Sequence, residues 1–372
     1  MKKIVFLTGT RADFGKLKSL MLICDKSTEF EVDIFVTGMH NIEEYGSTYI
    51  EILESGFTNI YRYNNHENTS HMDIVLAQTI IGFSEYVKKF KPDLLVVHGD
   101  RVEPLAGAIV GSLNNILVAH IEGGEISGTI DELIRHAVSK MSHIHFVSNK
   151  LAKKRLIQMG EFSNNIHIIG SPDVDIMKSK NLPDLEIVKN HYKIEFQEYS
   201  IVMFHPVTTE FEMMKKISKN FVDAILKFKQ NYIVIFPNND LGSDYIIDEY
   251  RRLENKNNIK IFPSIRFEYF LTLLKNAKLI IGNSSAGIRE APYYGLPVIN
   301  IGTRQQNRYT NKEVINCNYE TKNILNSLKK AVNLKYSKRN LFGEGNSDKL
   351  FIRKLKEKSF WLTRKQKIFN DI

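Results

Sequence analysis

Short runs of apolar residues alternate with helix-like patterns along almost the whole chain, and this alternation constrains the fold most strongly. The apolar runs occupy residues 4–7, 32–36, 94–97, 116–118, 144–147, 167–169, 201–204, 232–236, 259–262, 279–281 and 298–301. Helical periodicity is clearest at residues 73–90, 104–113, 131–141 and 151–159. Continuous apolar strands that alternate with helices indicate parallel sheets covered by helices on both faces. We therefore predict an α/β fold.

Two such series are present, separated by a polar and less regular stretch over residues 171–198. A chain of 372 residues is long for one core and suits two domains. We predict an N-terminal Rossmann-like domain over residues 1–172 and a C-terminal one over residues 173–345. The two parallel sheets are expected to face a central cleft, and residues 346–372 follow as a separate C-terminal segment.

The basic excess of the chain is confined to its C-terminal end. The net charge is +9, whereas residues 321–372 alone carry +10 and the remainder sums to −1. Apolar residues are interleaved with the basic ones at helical spacing, namely Leu350, Phe351, Leu355, Phe360, Trp361 and Ile368. This pattern predicts a basic amphipathic helix that packs back on the N-terminal domain. An arm for a membrane surface or a nucleic acid is the alternative, and we expect neither partner.

The rest of the composition indicates the cellular compartment of the protein and limits its possible cofactors. Cys24 and Cys317 stand far apart and in no metal-binding or redox spacing, which is typical of reduced thiols in a cytosol. The opening apolar run stops at Leu7, and no other stretch approaches the roughly 18 apolar residues that a membrane span needs. The dinucleotide glycine fingerprint and the Walker sequence are both missing. We expect a cytoplasmic protein with no NAD and no metal ion as cofactor.

Ionisable residues gather directly after the apolar run at residues 116–118. His120 and Glu122 precede two glycines, and Asp131 and Glu132 begin the next helical pattern. Ligands of open α/β folds bind beyond the carboxyl ends of the strands, so this cluster predicts an enzyme site for acid–base chemistry. Glu122 needs a partner or a chemical task. One acid of the Asp131/Glu132 pair has the alternative of a first-turn charge favoured by the helix dipole.

Polar side chains follow three further strands. The first strand leads to Arg11 and Lys16, which suit a phosphate but equally fit a simple turn with solvent-facing charges. The third strand ends at Asp100 and Arg101. Asp100 has the alternative of a helix N-cap, while Arg101 offers a second anion-binding group. His205 closes the first strand of the second series and is either functional or an ordinary loop residue.

The sharpest motif of the second half follows the strand at residues 279–281. Small polar residues and then a helix place backbone N–H groups and hydroxyls at a positive helix end, which predicts a phosphate site. Glu290 lies one turn further on and could bind a ribose diol through its two acceptor oxygens. The residues of this motif that we select are Asn283, Ser284, Ser285, Gly287 and Glu290.

Taken in their order along the chain, the motifs resemble those of the hydrolysing UDP-N-acetylglucosamine 2-epimerases. These enzymes make N-acetylmannosamine for bacterial sialic acid. The resemblance is carried by residues 8–16, 98–101, 120–124, 131–136, 205–206, 282–292 and 302–306. Residues 10–13 read Thr-Arg-Ala-Asp, which fits the hydrolysing branch, because the other branch usually has a Pro-Glu pair after the arginine. The resemblance implies a GT-B fold, with two Rossmann-like domains and UDP held mainly by the second.

The resemblance also implies roles for individual residues. The sugar site, and with it the catalytic set, would comprise Asp100, Glu122, Asp131, Glu132 and His205. UDP-binding positions would include Arg11, Ser284, Ser285 and Glu290. We add as further substrate-binding candidates Lys16, Arg101, Arg135, Asn283, Gly287 and Arg304.

The chemistry of such a reaction constrains how the acids would act. Breaking the C1–O bond builds positive charge at the anomeric centre, so that a carboxylate can remove H2 and leave 2-acetamidoglucal. Groups at helix ends and cations must stabilise the departing UDP. Water then adds, and C2 is protonated from the opposite face. Two carboxyl groups in different protonation states are needed, and the sequence leaves open which acid is the base.

Other functions remain open at this point. A GT-B glycosyltransferase shares the architecture and the nucleotide motif, but it would need an acceptor. A non-catalytic UDP-sugar-binding regulator could use the same cleft. The four carboxylates argue against it, because a protein that only binds phosphates gains little from negative charge near them. The same chemistry on a modified acetamido sugar, as in legionaminic acid pathways, is a third alternative. In each case the expected partner is a UDP-sugar, and we expect a homodimer or homotetramer.

Overall fold

The computed structural model describes residues 1–66, 71–306, 308 and 314–371, and the chain divides into two compact units. The first unit comprises Met1–Glu125, Asp131–Ser179 and Phe342–Ile372, and the second comprises Ile126–Ile130 and Lys180–Leu341. The sequence prediction had put the domain boundaries after residues 172 and 345. The chain thus passes twice between the two units beyond residue 170, once in each direction.

The first unit is built on a seven-stranded parallel sheet with the strand order β3-β2-β1-β4-β5-β6-β7. Its strands are β1 (Lys2–Thr8), β2 (Phe30–Val36), β3 (Ile60–Arg62), β4 (Leu94–His98), β5 (Leu117–Ile121), β6 (Ile144–Val147) and β7 (Ile166–Ile168). The sheet is covered by helices α1 (Arg11–Asp25), α2 (Tyr49–Glu54), α3 (Met72–Phe90), α4 (Val102–Leu113), α5 (Ile130–Met141), α6 (Lys150–Gln158) and α7 (Pro172–Lys178). β3 is a strand that the apolar pattern did not predict.

The second unit repeats this architecture with a six-stranded parallel sheet in the order β10-β9-β8-β11-β12-β13. Its strands are β8 (Ser200–Met203), β9 (Tyr232–Ile235), β10 (Ile259–Phe262), β11 (Ile280–Gly282), β12 (Val298–Ile301) and β13 (Val314–Cys317). The helices are α8 (Leu185–His191), α9 (Met214–Lys227), α10 (Ser243–Tyr250), α11 (Phe267–Lys275), α12 (Ala291–Tyr294) and α13 (Thr321–Ala331). Both units are therefore Rossmann-like, as predicted.

The C-terminal segment belongs to the first unit. Helix α14 (Ser347–Leu355) is followed by a 3-10 turn at Lys358–Leu362. Its Phe351 ring lies 6.4 Å from Phe6 of β1 and 4.7 Å from Phe146 of β6, measured between ring centroids. The Asp175 carboxylate of α7 accepts a hydrogen bond from the Ser347 backbone N–H at 2.9 Å and so caps the start of α14.

Apolar burial explains why the strands form where the sequence predicts them. The side chains of Ile4, Phe6, Leu94 and Val96 are fully buried, because helices cover both faces of the sheet.

Among the helices of the described residues, none combines the length and the apolar character needed to cross a bilayer.

The strand order locates the candidate sites. In each sheet the order reverses between two neighbouring strands, β1 and β4 in the first unit and β8 and β11 in the second. Crevices at such switch points, beyond the carboxyl ends of the strands, are where open α/β sheets bind ligands. The residues that follow these four strands are therefore the first place to look for function.

Candidate active site

A histidine between two carboxylates lies at the switch point of the first unit. His98 ends β4, and its Nδ1 lies 2.8 Å from Asp13 Oδ1 while its Nε2 lies 3.2 Å from Glu122 Oε2. Burial acts to lower the pKa of His98, but Glu122 and Asp13 outweigh it and raise the pKa to about 9. His98 is therefore an imidazolium that donates to both carboxylates at neutral pH.

Local sequence holds Asp13 in place for this contact. The Thr10 side chain caps helix α1 by accepting from the Asp13 N–H at 3.1 Å, and Asp13 Oδ2 accepts from the Gly9 N–H at 3.1 Å. The arrangement resembles a capping box, except that the Asp13 carboxylate accepts from Gly9, the residue before the N-cap, and not from Thr10 itself. It leaves Asp13 Oδ1 to face His98, so the Thr-Arg-Ala-Asp segment builds one side of the cluster.

Glu122 is held in an unusual backbone conformation directly after β5. Its φ is +65°, a left-handed value that costs a non-glycine residue free energy and is most common at functional sites. The Glu122 N–H donates to the Phe146 carbonyl at 2.9 Å. The Ser171 hydroxyl donates to Glu122 as well. Hydrogen bonds from Ser171 and the imidazolium of His98 both favour the ionised carboxylate.

Asp100 and Arg135 form an ion pair that connects the end of β4 with helix α5. His120 supports the same connection, with Nε2 2.9 Å from the Gly99 carbonyl and Nδ1 3.0 Å from the Ser139 hydroxyl. Burial lowers the pKa of His120 to about 3, so it is neutral. His120 is thus a structural residue that holds the Asp100 turn against α5.

Asp131 and Glu132 occupy the first turn of α5, where both are partly exposed. Glu132 lies 3.6 Å from His136 Nε2, one turn further along the helix. Arg135 also follows Asp131 by one turn, so Asp131 shares a helix face with the partner of Asp100. The structure thus brings Asp100, Glu122 and Arg135 to one edge of the sheet and places Asp131 and Glu132 at the start of the adjoining helix.

Three of the four predicted cationic positions of the first unit face an acid that sequence reasoning did not select, whereas Arg135 faces the predicted Asp100. The distances are 2.9 Å from Arg11 Nε to Glu51, 3.5 Å from Lys16 Nζ to Asp173 and 3.6 Å from Arg101 Nε to Glu103. Glu51, Asp173 and Glu103 are buried. These contacts balance part of the positive charge that a phosphate would meet.

The chemistry available in the first unit is proton transfer. Carboxylates, one imidazolium and one hydroxyl lie within hydrogen-bond reach of each other, as general acid–base catalysis requires. Across the described ranges, no three His, Cys, Asp or Glu side chains are grouped as ligands for a metal ion. Sequence reasoning selected Glu122 but missed Asp13, His98 and Ser171, although residues 98–101 had been recognised as a motif.

In the second unit, the Asn283 side chain joins the ends of β8 and β11. Its Oδ1 accepts from the His205 N–H at 2.7 Å, and its Nδ2 donates to the His205 carbonyl at 2.8 Å. The Asn283 carbonyl accepts from Arg304 Nη1 at 3.3 Å and from Gln305 Nε2 at 2.7 Å. Asn283 and Arg304, both predicted to bind substrate, are thus part of one buried polar network.

The orientation of the His205 ring follows from its neighbour. The Asn238 backbone N–H donates to His205 Nδ1 at 3.0 Å. Nδ1 must therefore be unprotonated, and the ring proton is on Nε2. His205 is also largely buried, at 5% exposure. A buried ring with a defined tautomer is suited to donate one directed hydrogen bond.

The segment after β11 differs from the helix that we predicted. Ser284 caps a 3-10 turn at Ser285–Gly287, and the regular helix α12 begins only at Ala291. Pro292 explains the break, because its ring clashes with the carbonyl four residues earlier and it has no N–H to donate. Gly282 is required at the strand end, since its φ is +141° and a Cβ there would lie 1.8 Å from the Met203 carbonyl oxygen.

Two predicted positions in this segment are buried. Gly287 packs so closely against β12 that a Cβ would lie 2.7 Å from the Val298 side chain. Glu290 is 2% exposed. Ser284 and Ser285 are partly exposed and are the members of the motif that a ligand can reach most easily.

Glu210 is a further residue that the sequence analysis missed. It accepts hydrogen bonds from the Thr303 hydroxyl at 2.6 Å and from the Tyr319 hydroxyl. The Thr303 N–H donates to Tyr319 at 3.2 Å. These contacts hold the residue that precedes Arg304. Glu210 lies in the 3-10 turn at Thr208–Met213, outside the motif selected at the end of β8.

Comparison with known proteins agrees with the two Rossmann-like units. A family model described as UDP-N-acetylglucosamine 2-epimerase matches residues 23–356. The chain is 47% identical to a UDP-N-acetylglucosamine 2-epimerase of Neisseria meningitidis serogroup B, over all of both chains. It is 33% identical to a hydrolysing UDP-N,N'-diacetylbacillosamine 2-epimerase of Legionella pneumophila, over 93% of each.

A solved structure agrees with these sequence matches. The UDP-GlcNAc 2-epimerase of Methanocaldococcus jannaschii, in complex with UDP-GlcNAc and UDP, superposes with a TM-score of 0.80 at 25% identity, covering 95% of this chain and 99% of that one. The fold is thus the two-domain Rossmann-like type found in GT-B proteins. The chain belongs to the UDP-N-acetylglucosamine 2-epimerase family, which favours the epimerase interpretation over the glycosyltransferase.

Proposed function

We propose that this protein is a hydrolysing UDP-N-acetylglucosamine 2-epimerase, which converts UDP-N-acetylglucosamine and water to N-acetylmannosamine and UDP for sialic acid biosynthesis. The observation that carries the proposal is His98 held between Asp13 and Glu122. Asp13 belongs to the segment that resembles the hydrolysing branch, and through His98 it helps to keep Glu122 ionised. The hydrolysing Legionella relative supports the same branch.

In the first step, we assign Glu122 to the removal of H2. The C1–O bond breaks, its electron pair leaves with UDP, and H2 passes to the Glu122 carboxylate. The electrons of the C2–H bond form the C1–C2 double bond of 2-acetamidoglucal. The donors His98 and Ser171 keep Glu122 ionised before this step, and no oxidant or reductant is needed.

In the second step, the oxygen of water bonds to C1 and the water gives up one proton to solvent, while the electron pair of the C1–C2 double bond takes a proton at C2 on the face opposite to the one that lost H2. We assign this second proton transfer to the group formed by Asp100, Asp131 and Glu132. Arg135 holds Asp100 in position for it. Ring opening of the product then gives free N-acetylmannosamine, which differs from the starting sugar only in the configuration at C2.

For the nucleotide, we propose that the second unit holds UDP. His205 donates from Nε2 to the diphosphate as negative charge builds up there. Ser284 and Ser285 add hydroxyl groups, and Glu290 accepts from the ribose. Arg304 supplies a positive charge. In the first unit, Arg11, Lys16 and Arg101 are proposed as further anion-binding groups, each moderated by its acidic neighbour.

The decisive test is turnover of UDP-N-acetylglucosamine in D2O, followed by NMR. With EDTA present and with no nicotinamide or sugar acceptor, we expect UDP and N-acetylmannosamine with deuterium at C2. Deuterium is expected because a carboxyl group that exchanges with solvent delivers the new proton. As a control, authentic N-acetylmannosamine and UDP are incubated with the protein in D2O to measure exchange after release.

Each other outcome of this assay contradicts part of the proposal. Protium at C2 would exclude the elimination route. A product still linked to UDP would assign the chain to the non-hydrolysing branch, and strict dependence on an acceptor would indicate a transferase. Because of the Legionella relative, UDP-N,N'-diacetylbacillosamine is run in parallel. A higher kcat/KM for that sugar would make it the substrate.

Nucleotide binding gives a separate prediction. Ser285→Ala and Glu290→Ala should each weaken UDP binding by about 1–3 kcal/mol, the usual cost of losing a hydrogen bond to a charged or buried group. Isothermal titration calorimetry measures this directly. Ser337→Ala, an exposed serine of the same unit, is the matched control and should bind UDP like the wild type. Unchanged affinity in both variants would refute the assignment of UDP to residues 282–290.

A further inference from the structure

The C-terminal end of α5 is held by a lysine from the last residues of the chain. Lys367 Nζ donates to the Ser142 carbonyl at 2.7 Å and to the Ser139 carbonyl at 3.4 Å. The same ammonium group lies 2.6 Å from Glu161 Oε2. The last carbonyls of a helix have no partner within it and form its negative end. Lys367 therefore adds a positive charge and a donor at the end of α5, where the Ser142 N–H also bonds the Ser139 carbonyl and the Ser112 hydroxyl bonds the Met141 carbonyl.

A second contact fastens the same stretch of chain. His143 Nδ1 accepts from the Val118 N–H of β5 at 3.0 Å, so its proton is on Nε2, which donates to the Lys365 carbonyl at 2.9 Å. Burial lowers the pKa of His143 and keeps it in this neutral form. The chain around residues 365–367 is thus bonded both to β5 and to the end of α5.

Glu161 anchors the ammonium group of Lys367. It is 3% exposed and also contacts His145 Nε2 at 2.9 Å and Lys140 Nζ at 2.9 Å. Burial acts against its charge, but His145 and Lys367 outweigh this and lower the pKa of Glu161 to about 2. A permanently ionised Glu161 holds Lys367 in a defined position beneath the helix.

Ser139 connects this clamp to the candidate active site. Its carbonyl accepts from Lys367, while its hydroxyl bonds His120 at 3.0 Å, and His120 in turn bonds the Gly99 carbonyl at 2.9 Å. Gly99 directly precedes Asp100. The same helix carries Arg135, the partner of Asp100, and has Asp131 in its first turn. The position of α5 along its axis therefore sets the position of these acids.

We propose that Lys367 is a positioning residue for the epimerase reaction, which acts by fixing the end of α5 and, through Ser139 and His120, the Asp100 turn. None of its contacts is with a group that we assign to proton transfer. Small displacements of catalytic groups are costly, so Lys367→Met should lower kcat by roughly tenfold or more. UDP affinity should be unchanged, because we assign UDP to the second unit.

The experiment compares three variants of the full-length protein. Lys365→Met is the matched control, since Lys365 bonds His143 through its backbone carbonyl, which the substitution keeps, and its side chain is exposed. Lys367→Arg keeps a charged donor and should recover most of the lost kcat. Hydrogen exchange of residues 131–142 should be faster in Lys367→Met than in Lys365→Met, with exchange in β2 and α3 unchanged.

The outcomes separate this inference from the proposed function. It rests on that function only for the kcat measurement, because hydrogen exchange needs no substrate. Equal kcat and equal exchange in Lys367→Met and Lys365→Met would overturn it. Faster exchange throughout the first unit would also overturn it, because Lys367 would then serve global stability. If wild-type protein did not turn over UDP-N-acetylglucosamine while exchange changed only in α5, the proposed function would fail and the clamp would stand.

Discussion

Glu122→Gln should lower turnover of UDP-N-acetylglucosamine by ~10²–10⁴ while leaving UDP affinity close to that of the wild type. Glutamine keeps the size of the side chain and can still accept from Ser171, but it cannot take a proton from C2. Because we assign UDP to the second unit, nucleotide binding should not report this change. Steady-state kinetics and calorimetry on the same preparation measure the two effects.

Glu85→Gln is the matched control, since Glu85 is exposed on α3 and should keep full activity. Asp100→Asn and Asp131→Asn should each lower turnover by ~10²–10⁴ if the acid takes part in the second proton transfer. A variant that keeps wild-type kcat removes that residue from the mechanism. Full activity in Glu122→Gln would leave the reaction possible but would refute our choice of base.

The strands that stand out most clearly in the sequence are those buried on both faces. β4 and β8 lie in the middle of their sheets and read as continuous apolar runs. β3 and β13 are edge strands of three and four residues, half exposed, and their composition does not stand out. Edge strands need fewer apolar side chains, because one side of the strand has no neighbour to pack against. β3 and β13 were therefore missed, whereas the other two edge strands, β7 and β10, were predicted from their apolar runs.

The site was predictable only in so far as its residues stand at strand ends. Glu122 follows an apolar run and was found in this way. The contact between Asp13 and His98 joins residues 85 positions apart, and it exists because β1 and β4 are neighbours in the sheet. The order of strands in a sheet cannot be read from a single sequence, so the contact between Asp13 and His98 could not be predicted. The contact of the Ser171 hydroxyl with Glu122 likewise depends on strand order, because it joins the segments after β5 and β7, which lie on either side of β6.

Protonation of His98 should contribute to folding stability below pH 6.5 and cease to do so above about pH 9. Its pKa is raised from 6.5 to about 9 in the folded protein. The contribution is complete below the unfolded value and is lost as the pH rises through the folded value. This shift corresponds to about 3 kcal/mol in the free energy of unfolding. Urea unfolding across this pH range, compared between wild type and His98→Gln, isolates it.

Catalytic activity should also depend on the protonation of His98. Because the imidazolium of His98 orients Glu122 through a charge-assisted hydrogen bond that is lost when the ring is deprotonated, kcat/KM should fall as the pH rises through about 9. The pH profile of His98→Gln should lack this fall in kcat/KM, and its turnover should be slower by ~10²-fold. His191→Gln, at an exposed histidine of α8, is the control and should keep both the rate and the fall in kcat/KM.

Asp13→Asn tests whether His98 causes the fall in kcat/KM at high pH, which is the basic limb of the pH profile. The amide oxygen introduced by this substitution can still accept from His98 Nδ1, but one of the two negative charges beside the imidazolium is gone. The pKa of His98 should then fall, so the basic limb of the pH profile should move to lower pH. A limb that does not move would show that another group controls it, and the assignment of Asp13 and His98 to the support of Glu122 would be wrong.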